Sequence, residues 1–201
     1  MVLAVLAQNS DVPPVRMGAL YPVQARLRDG TAITIRPIGP PDTLREQAFM
    51  QALSPQSRYF RFMSTLRELP PDMLYRFTHP DVDREVALVA LAGEGDELRQ
   101  IGVARCIVED SQHAAEFALA VADDWQSRGV GSRLMCELMR AARVAGIRHL
   151  RGDVLSTNRR MLALMRTLGF DIVSVPGDAL VRRVVKNLES TQVIKDFVHA
   201  T

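Results

Sequence analysis

The sequence predicts a mixed α/β domain, one sheet with helices packed against it, on three observations. Period-two alternation marks strands, most plainly from His113 to Ala122, where Ala115, Phe117, Leu119 and Val121 share one side. Helical spacing with stop signals marks helices, as from Val130 to Ala145 before Gly146 and from Thr157 to Leu168 before Gly169. The elements run β-α-α and then β-β-β-α-β-α-β-β along 201 residues, which makes one layered domain without internal repeats.

Residues 1–25 read as a weakly ordered arm. Met1 to Ala7 is apolar but too short and too poor in positive charge for a signal peptide, and Asn9, Ser10, Asp11, Pro13 and Pro14 have loop composition. The domain occupies residues 26–190, and 191–201 form a tail. Order begins at the Arg28-Asp29-Gly30 turn and enters a strand over Thr31 to Pro37, where Ile33 and Ile35 alternate with threonine. Asp42 caps a helix through Leu53, with Leu44, Ala48 and Leu53 near one face. Ser54-Pro55 supplies the N-cap and first residue of a second helix, whose Tyr59, Phe60, Phe62 and Met63 are expected in the core. Pro70-Pro71-Asp72 opens a short helix through Phe77. Glu85 to Ala92 and Gln100 to Val108 are strands around the Gly93-Glu94-Gly95-Asp96 turn. A strand from Arg148 to Leu155 precedes the last helix, and Phe170 to Val175 and Leu180 to Leu188 close the sheet around Pro176-Gly177-Asp178.

Composition excludes several classes of function. The chain is 47% apolar and 24% charged, ordinary for a globular protein. Its net charge of +2 carries no basic stripe of the kind nucleic-acid binders show. No apolar run reaches the ~20 residues that span a bilayer. Cys106 and Cys136 lack C-x-x-C spacing and sit in apolar surroundings, which fits free thiols in a reducing cytoplasm. The four histidines are scattered, so no metal ligand set is visible. Of the 25 basic residues 23 are arginine, Lys186 and Lys195 being the exceptions. A GC-rich genome explains that bias without function.

Chemistry concentrates where the strand ending at Val121 passes through Asp123-Asp124-Trp125 into Gln126-Ser-Arg-Gly-Val-Gly131 and a helix. Two glycines let the backbone approach a ligand, and the first helical amides point outward unpaired, a ready site for phosphate. Arg128 and Arg133 add positive charge. A dinucleotide fingerprint would need a glycine at 134, where Leu134 stands, and a Walker loop would need G-K-[ST].

Gln126-x-x-Gly129-x-Gly131 resembles the acyl-CoA pyrophosphate loop of the GNAT acetyltransferase superfamily, and Asn158 with Leu168-Gly169-Phe170 resembles its second motif. The likeness covers residues 28 to 188. Arg28-Asp-Gly-Thr31 leading into Ile35-Arg36-Pro37, Leu53-Ser-Pro-Gln-Ser-Arg-Tyr-Phe-Arg-Phe62, and Ala115-Glu116-Phe117-Ala118 are similar to the acetyltransferase domain of bacterial protein-lysine acetyltransferases. The resemblance implies a mixed, mostly antiparallel sheet with a central splayed parallel pair and helices on both faces. It implies acetyl-CoA as cosubstrate and no metal. The pantetheine would pair with backbone at Leu119 and Val121, and the pyrophosphate would lie on Gln126, Ser127, Arg128, Gly129, Val130, Gly131, Ser132 and Arg133, with Asn158 near the sulfur.

A lysine ammonium, pKa ~10.4, has no lone pair until a base removes a proton. Glu116, a lone carboxylate in an apolar strand with alanines on its own face, is the candidate base, ahead of Glu85, Glu109 and Asp123. A solvated or arginine-paired glutamate is the alternative. Many superfamily members place an acidic tyrosine seven residues after the motif asparagine; here that position is Met165, so no general acid is assigned. Neither cysteine has a flanking base, which favours direct transfer in a ternary complex. The expected acceptor is a protein lysine. Alternatives are a small amine, which would want Asp123 or Asp124 beside Glu116 in a closed pocket, and a non-catalytic acyl-CoA-binding module. Partners are then acetyl-CoA and the acceptor, with no nucleic acid or membrane, in a monomer or a homodimer.

Overall fold

Strands β1 (Val23–Arg26), β2 (Ala32–Pro37), β3 (Glu85–Ala92), β4 (Arg99–Val108), β5 (Ala114–Val121), β6 (His149–Leu155), β7 (Asp171–Val175) and β8 (Asp178–Asn187) form one sheet in the order β1-β2-β3-β4-β5-β6-β8-β7. Helices α1 (Thr43–Ala52), α2 (Pro55–Phe62), α3 (Pro71–Thr78), α4 (Val130–Val144) and α5 (Arg159–Thr167) complete the fold in this computed structural model, which describes residues 21–66, 68–109 and 113–189. Every neighbouring pair of strands is antiparallel except β5 and β6.

The central strand β3 carries an almost unbroken apolar run because both its faces are covered. On one face Leu88, Ile101, Leu134, Leu138, Leu150 and Met165 join α4 and α5 to the sheet. On the other, Phe49, Met50, Leu53, Leu74, Phe77, Val89 and Val103 join α1 and α3 to it. Each such side chain contributes roughly 1.5–3 kcal/mol by burial. Helices therefore lie on both faces, as expected.

The parallel pairing of β5 with β6 lasts only from Ala114 to Glu116 against His149 to Arg151. Beyond it β5 stays with β4 as far as Val121, and β6 stays with β8 as far as Leu155. The two halves of the sheet separate there and leave an open edge on β5.

Four expectations need correction. Strand β1 begins inside the segment assigned to the arm: Val23–Arg26 pairs with β2, an element too short for alternation to reveal. The rest of that arm and the tail fall outside the described residues. Helix α1 turns Glu46, Phe49, Met50 and Leu53 inward, while Leu44 is 79% exposed and Ala48 is exposed. Buried Glu46 keeps its place through a hydrogen bond from Gln100, so a polar residue sits on the core face. Asp42 precedes α1 but makes no cap bond; its carboxylate takes both prongs of Arg36 at 2.6 Å instead. On α2 nothing is fully buried: Tyr59 is exposed, and Phe60, Phe62 and Met63 are half-buried along a cleft.

Candidate active site

The cleft occupies about 2450 Å³ along the open edge of β5, between α2 and α3 on one side and the start of α4 on the other. That is more than twice the upper range of pockets for drug-sized ligands. It has room for a long cosubstrate together with an acceptor.

One wall is the loop before α4. Gly129 precedes the helix with φ 98°, a left-handed conformation that a side chain would strain. The first intrahelical bond runs from Arg133 N to Gly129 O, so the amides of Val130, Gly131 and Ser132 lack helical partners. A Cβ on Gly131 would meet Leu164, Leu119 and Val121 at 3.3, 3.5 and 3.6 Å, so glycine lets the helix start approach the β5 edge. Gln126 braces the loop: its Nε2 donates to Val121 O at 3.2 Å and to Ser57 Oγ at 3.1 Å, and its Oε1 accepts from Arg160 at 2.9 Å.

The other wall is the β5 edge. Ala122 N donates to Ile101 O of the β4 side, so by alternation Phe117, Leu119 and Val121 turn their amides and carbonyls toward the open edge. The side chains of Glu116, Ala118 and Ala120 share the face toward α2 and α3, as the alternation predicted.

Four carboxylates competed for the base, and their partners separate them. Glu85 is ion-paired to Arg105 at 2.9 Å. Glu109 is held by Arg151. Asp123 accepts from Ser54 N, Ser54 Oγ and Ser57 Oγ at 2.8, 2.8 and 2.7 Å. Burial alone would raise Asp123, but these bonds hold it below the usual carboxylate range. Glu116 is half-buried and, among the described residues, accepts no hydrogen bond. Burial pushes its pKa up against the pull of Arg151, and Asp153 and Glu109 push it further.

Leu119, Val121, Gln126, Ser127, Arg128, Gly129, Gly131, Ser132, Arg133 and Asn158 all line the cleft with Glu116. Val130 differs: its side chain is fully buried in the core, leaving only its amide to the loop. Arg128 lines the cleft but is committed, donating to Asp29 at 2.9 and 2.6 Å and to Thr31 Oγ1 at 3.1 Å, with its guanidinium 4.0 Å from the Trp125 ring. Hydrogen bonds from Thr31 and then from Arg128 lower Asp29 to about 2. The Arg133 guanidinium, by contrast, has no hydrogen bond or ion pair among the described residues. Asn158 spends its side-chain oxygen capping α5 through Met161 N at 3.1 Å. Asp124 pairs with Arg99, and Trp125 seals the loop between Arg99 and Arg128. Sequence reasoning missed the partners Asp29 and Ser57, which lie 99 and 69 residues from Arg128 and Gln126 and carry no local signal.

A sheet opened at one parallel pair, with a helix N-terminus aimed at the opening, forms a cleft suited to an acyl-CoA-dependent N-acetyltransferase. The chain belongs to the GNAT acetyltransferase family, whose acyl donor is acetyl-CoA: the model described as Acetyltransferase (GNAT) family matches residues 48–170. It is 36% identical over 144 residues to an acetyltransferase of Pseudomonas aeruginosa, covering 72% of this chain and 77% of that one. It is 32% identical over 151 residues to the acetyltransferase Pat of Mycolicibacterium smegmatis, covering 75% of this chain and 44% of that protein. The GNAT domain of Streptomyces lividans PAT superposes with a TM-score of 0.76 at 29% identity, over 84% of this chain and 98% of that one. A spermidine N-acetyltransferase of Vibrio cholerae in complex with CoA and spermine shares the fold, with a TM-score of 0.62 at 16% identity over 78% and 96% of the two chains.

Proposed function

We propose that the protein acetylates lysine side chains of other proteins by direct transfer from acetyl-CoA, with Glu116 as general base. One observation carries this reading: of the carboxylates around the cleft that competed for the role, Glu116 alone is unpaired among the described residues, and its environment raises its basicity. Glu116 takes a proton from the bound ammonium, and the freed lone pair attacks the thioester carbon. An amide of the open β5 edge stabilises the oxyanion. The C–S bond then breaks, CoA leaves as a thiolate, and the second proton of the former ammonium passes from the acylated nitrogen to water or to that thiolate, leaving the neutral amide. Met165 is fully buried and donates no proton, which a thiolate of ordinary thiol pKa, ~8.5, tolerates. The unpaired amides at the start of α4 with Arg133 receive the pyrophosphate, Leu119 and Val121 the pantetheine.

The protein acceptor is favoured by the volume of the cleft and by the engagement of Asp123 and Asp124, which leaves neither to build a closed acidic pocket for a small amine. Among the described residues no helix is long and apolar enough to cross a membrane, and both cysteines are free. The free thiols support a reducing compartment.

Glu116→Gln is the test. We expect kcat to fall about 10²-fold or more at neutral pH with acetyl-CoA affinity unchanged. An unaltered kcat would remove Glu116 as base. Labelled acetyl-CoA incubated with cell extract should place label in protein; label confined to small molecules would overturn the protein acceptor.

A further inference from the structure

The acceptor side of the cleft holds positive charge that the transfer reaction leaves unused. Arg61 on α2 is half-buried, its guanidinium 5.0 Å from the Phe62 ring centroid and 5.6 Å from that of Phe77. Its Nε is fully buried and has no hydrogen-bond partner among the described residues. The neighbouring groups are already occupied. Arg105 lies over Phe77 and is spent on Glu85 and on Phe77 O, while Glu46 accepts from Gln100 through Oε2 and attracts Arg61 without a hydrogen bond or ion pair to it. Burial, then repulsion from Arg105, lowers Arg61 to about 10 against the pull of Glu46, Glu116 and Glu85, so it stays charged at neutral pH while making no ion pair among the described residues. Arg76 on α3 lines the same cleft, is exposed, and its side chain likewise makes no hydrogen bond or ion pair among the described residues.

This contrasts with other arginines around the cleft. Arg128 is tied to Asp29, Arg151 to Glu109 and Arg160 to Gln126. A desolvated guanidinium without a hydrogen-bonded carboxylate, beside a second cation, gains most from an incoming one.

We propose that the α2–α3 wall recognises a carboxylate next to the acceptor lysine, Arg61 inside the cleft and Arg76 at its rim, so that lysines flanked by Asp or Glu are preferred. The inference rests on the protein-lysine reading above and deepens it. The two guanidinium groups hold the acceptor chain while Glu116, whose charge already acts on Arg61, faces the amine.

The experiment compares kcat/KM for peptides that differ only in a Glu or a Gln beside one lysine, with a small amine as a separate acceptor. The wild-type chain should favour the Glu peptide by roughly tenfold, the ratio expected of one charge-assisted contact. Arg61→Gln should bring the ratio close to one through KM, and Arg61→Lys should restore part of it. Arg76→Gln, at an exposed position that folding tolerates, should lower it as well. Equal use of both peptides by the wild-type chain, or a ratio that survives in all three variants, overturns the proposal while leaving lysine acetylation standing. Turnover of the small amine with no acetylation of either peptide overturns both.

Discussion

Glu116 owes its candidacy to what its neighbours do with their charges. Arg151, its register partner across the short parallel pairing, is held by Glu109, and Arg183 is held by Asp153 at 2.8 and 2.9 Å. Both arginines still lower Glu116 from a distance, while burial raises it. Removing Arg151 takes away a favourable positive charge and frees Glu109 to repel. Arg151→Gln should therefore move the acid limb of the kcat/KM profile to higher pH, cutting activity several-fold at the acid end and sparing the alkaline plateau. An unmoved limb would show that Arg151 does not set the base. Lys186, the one lysine among the described residues, lies on β8 with Nζ donating to Gly169 O at 3.1 Å, on the α4–α5 side of the sheet. Glu116 faces the other side, so acetylation of Lys186 within one molecule is not favoured.

Helix α2 shows how one element closes one end of the cleft. Ser54 caps it by accepting from Ser57 N at 3.2 Å, as the Ser54-Pro55 pair announced. The cap extends into tertiary structure because Asp123, from the loop after β5, takes both serine hydroxyls and an amide. Asp123→Ala should cost about 1 kcal/mol of stability at this exposed position, measured by urea unfolding. Because Asp123 is held below its ordinary pKa, the stability it contributes is present above that value, 3.8, and is lost as pH falls through the folded pKa. The variant should lose that part of the acid-side slope; an unchanged slope would exclude the contact as a contributor. It should also raise KM for the acceptor, since α2 carries Arg61.

Across the whole molecule the titration of three buried or half-buried carboxylates runs the other way. Glu46, Glu85 and Glu116 are all raised from 4.5, burial being the leading cause in each. In the pH range between the unfolded and folded values the native state binds more protons, so stability falls as pH rises above about 4.5 toward neutrality. Glu46, 0% exposed, is the most buried of these. Glu46→Gln should flatten the decline in urea midpoint between about pH 4.5 and pH 7, and a wild-type midpoint that climbs over that range would contradict the assignment. Glu46→Ala should destabilise by about 1–3 kcal/mol, because it leaves a cavity and strips Gln100 of its acceptor.

Much of this protein was legible in the chain itself. Strand alternation placed Glu116 on the face opposite Phe117, the two glycines marked where a helix opens toward a ligand, and Ser54, Gly146 and Gly169 marked helix ends, all because these signals act within a few residues. The same local signals mistook the inner face of α1, where Glu46 replaces Leu44, and gave no sign that Asp29 and Trp125 engage Arg128. Which carboxylate stays unpaired, which arginine lacks an anion and how far β5 and β6 run together were decided only by tertiary structure. Those properties depend on partners that sheet order brings together from as far as 99 residues apart, and residue periodicity carries no record of such pairings.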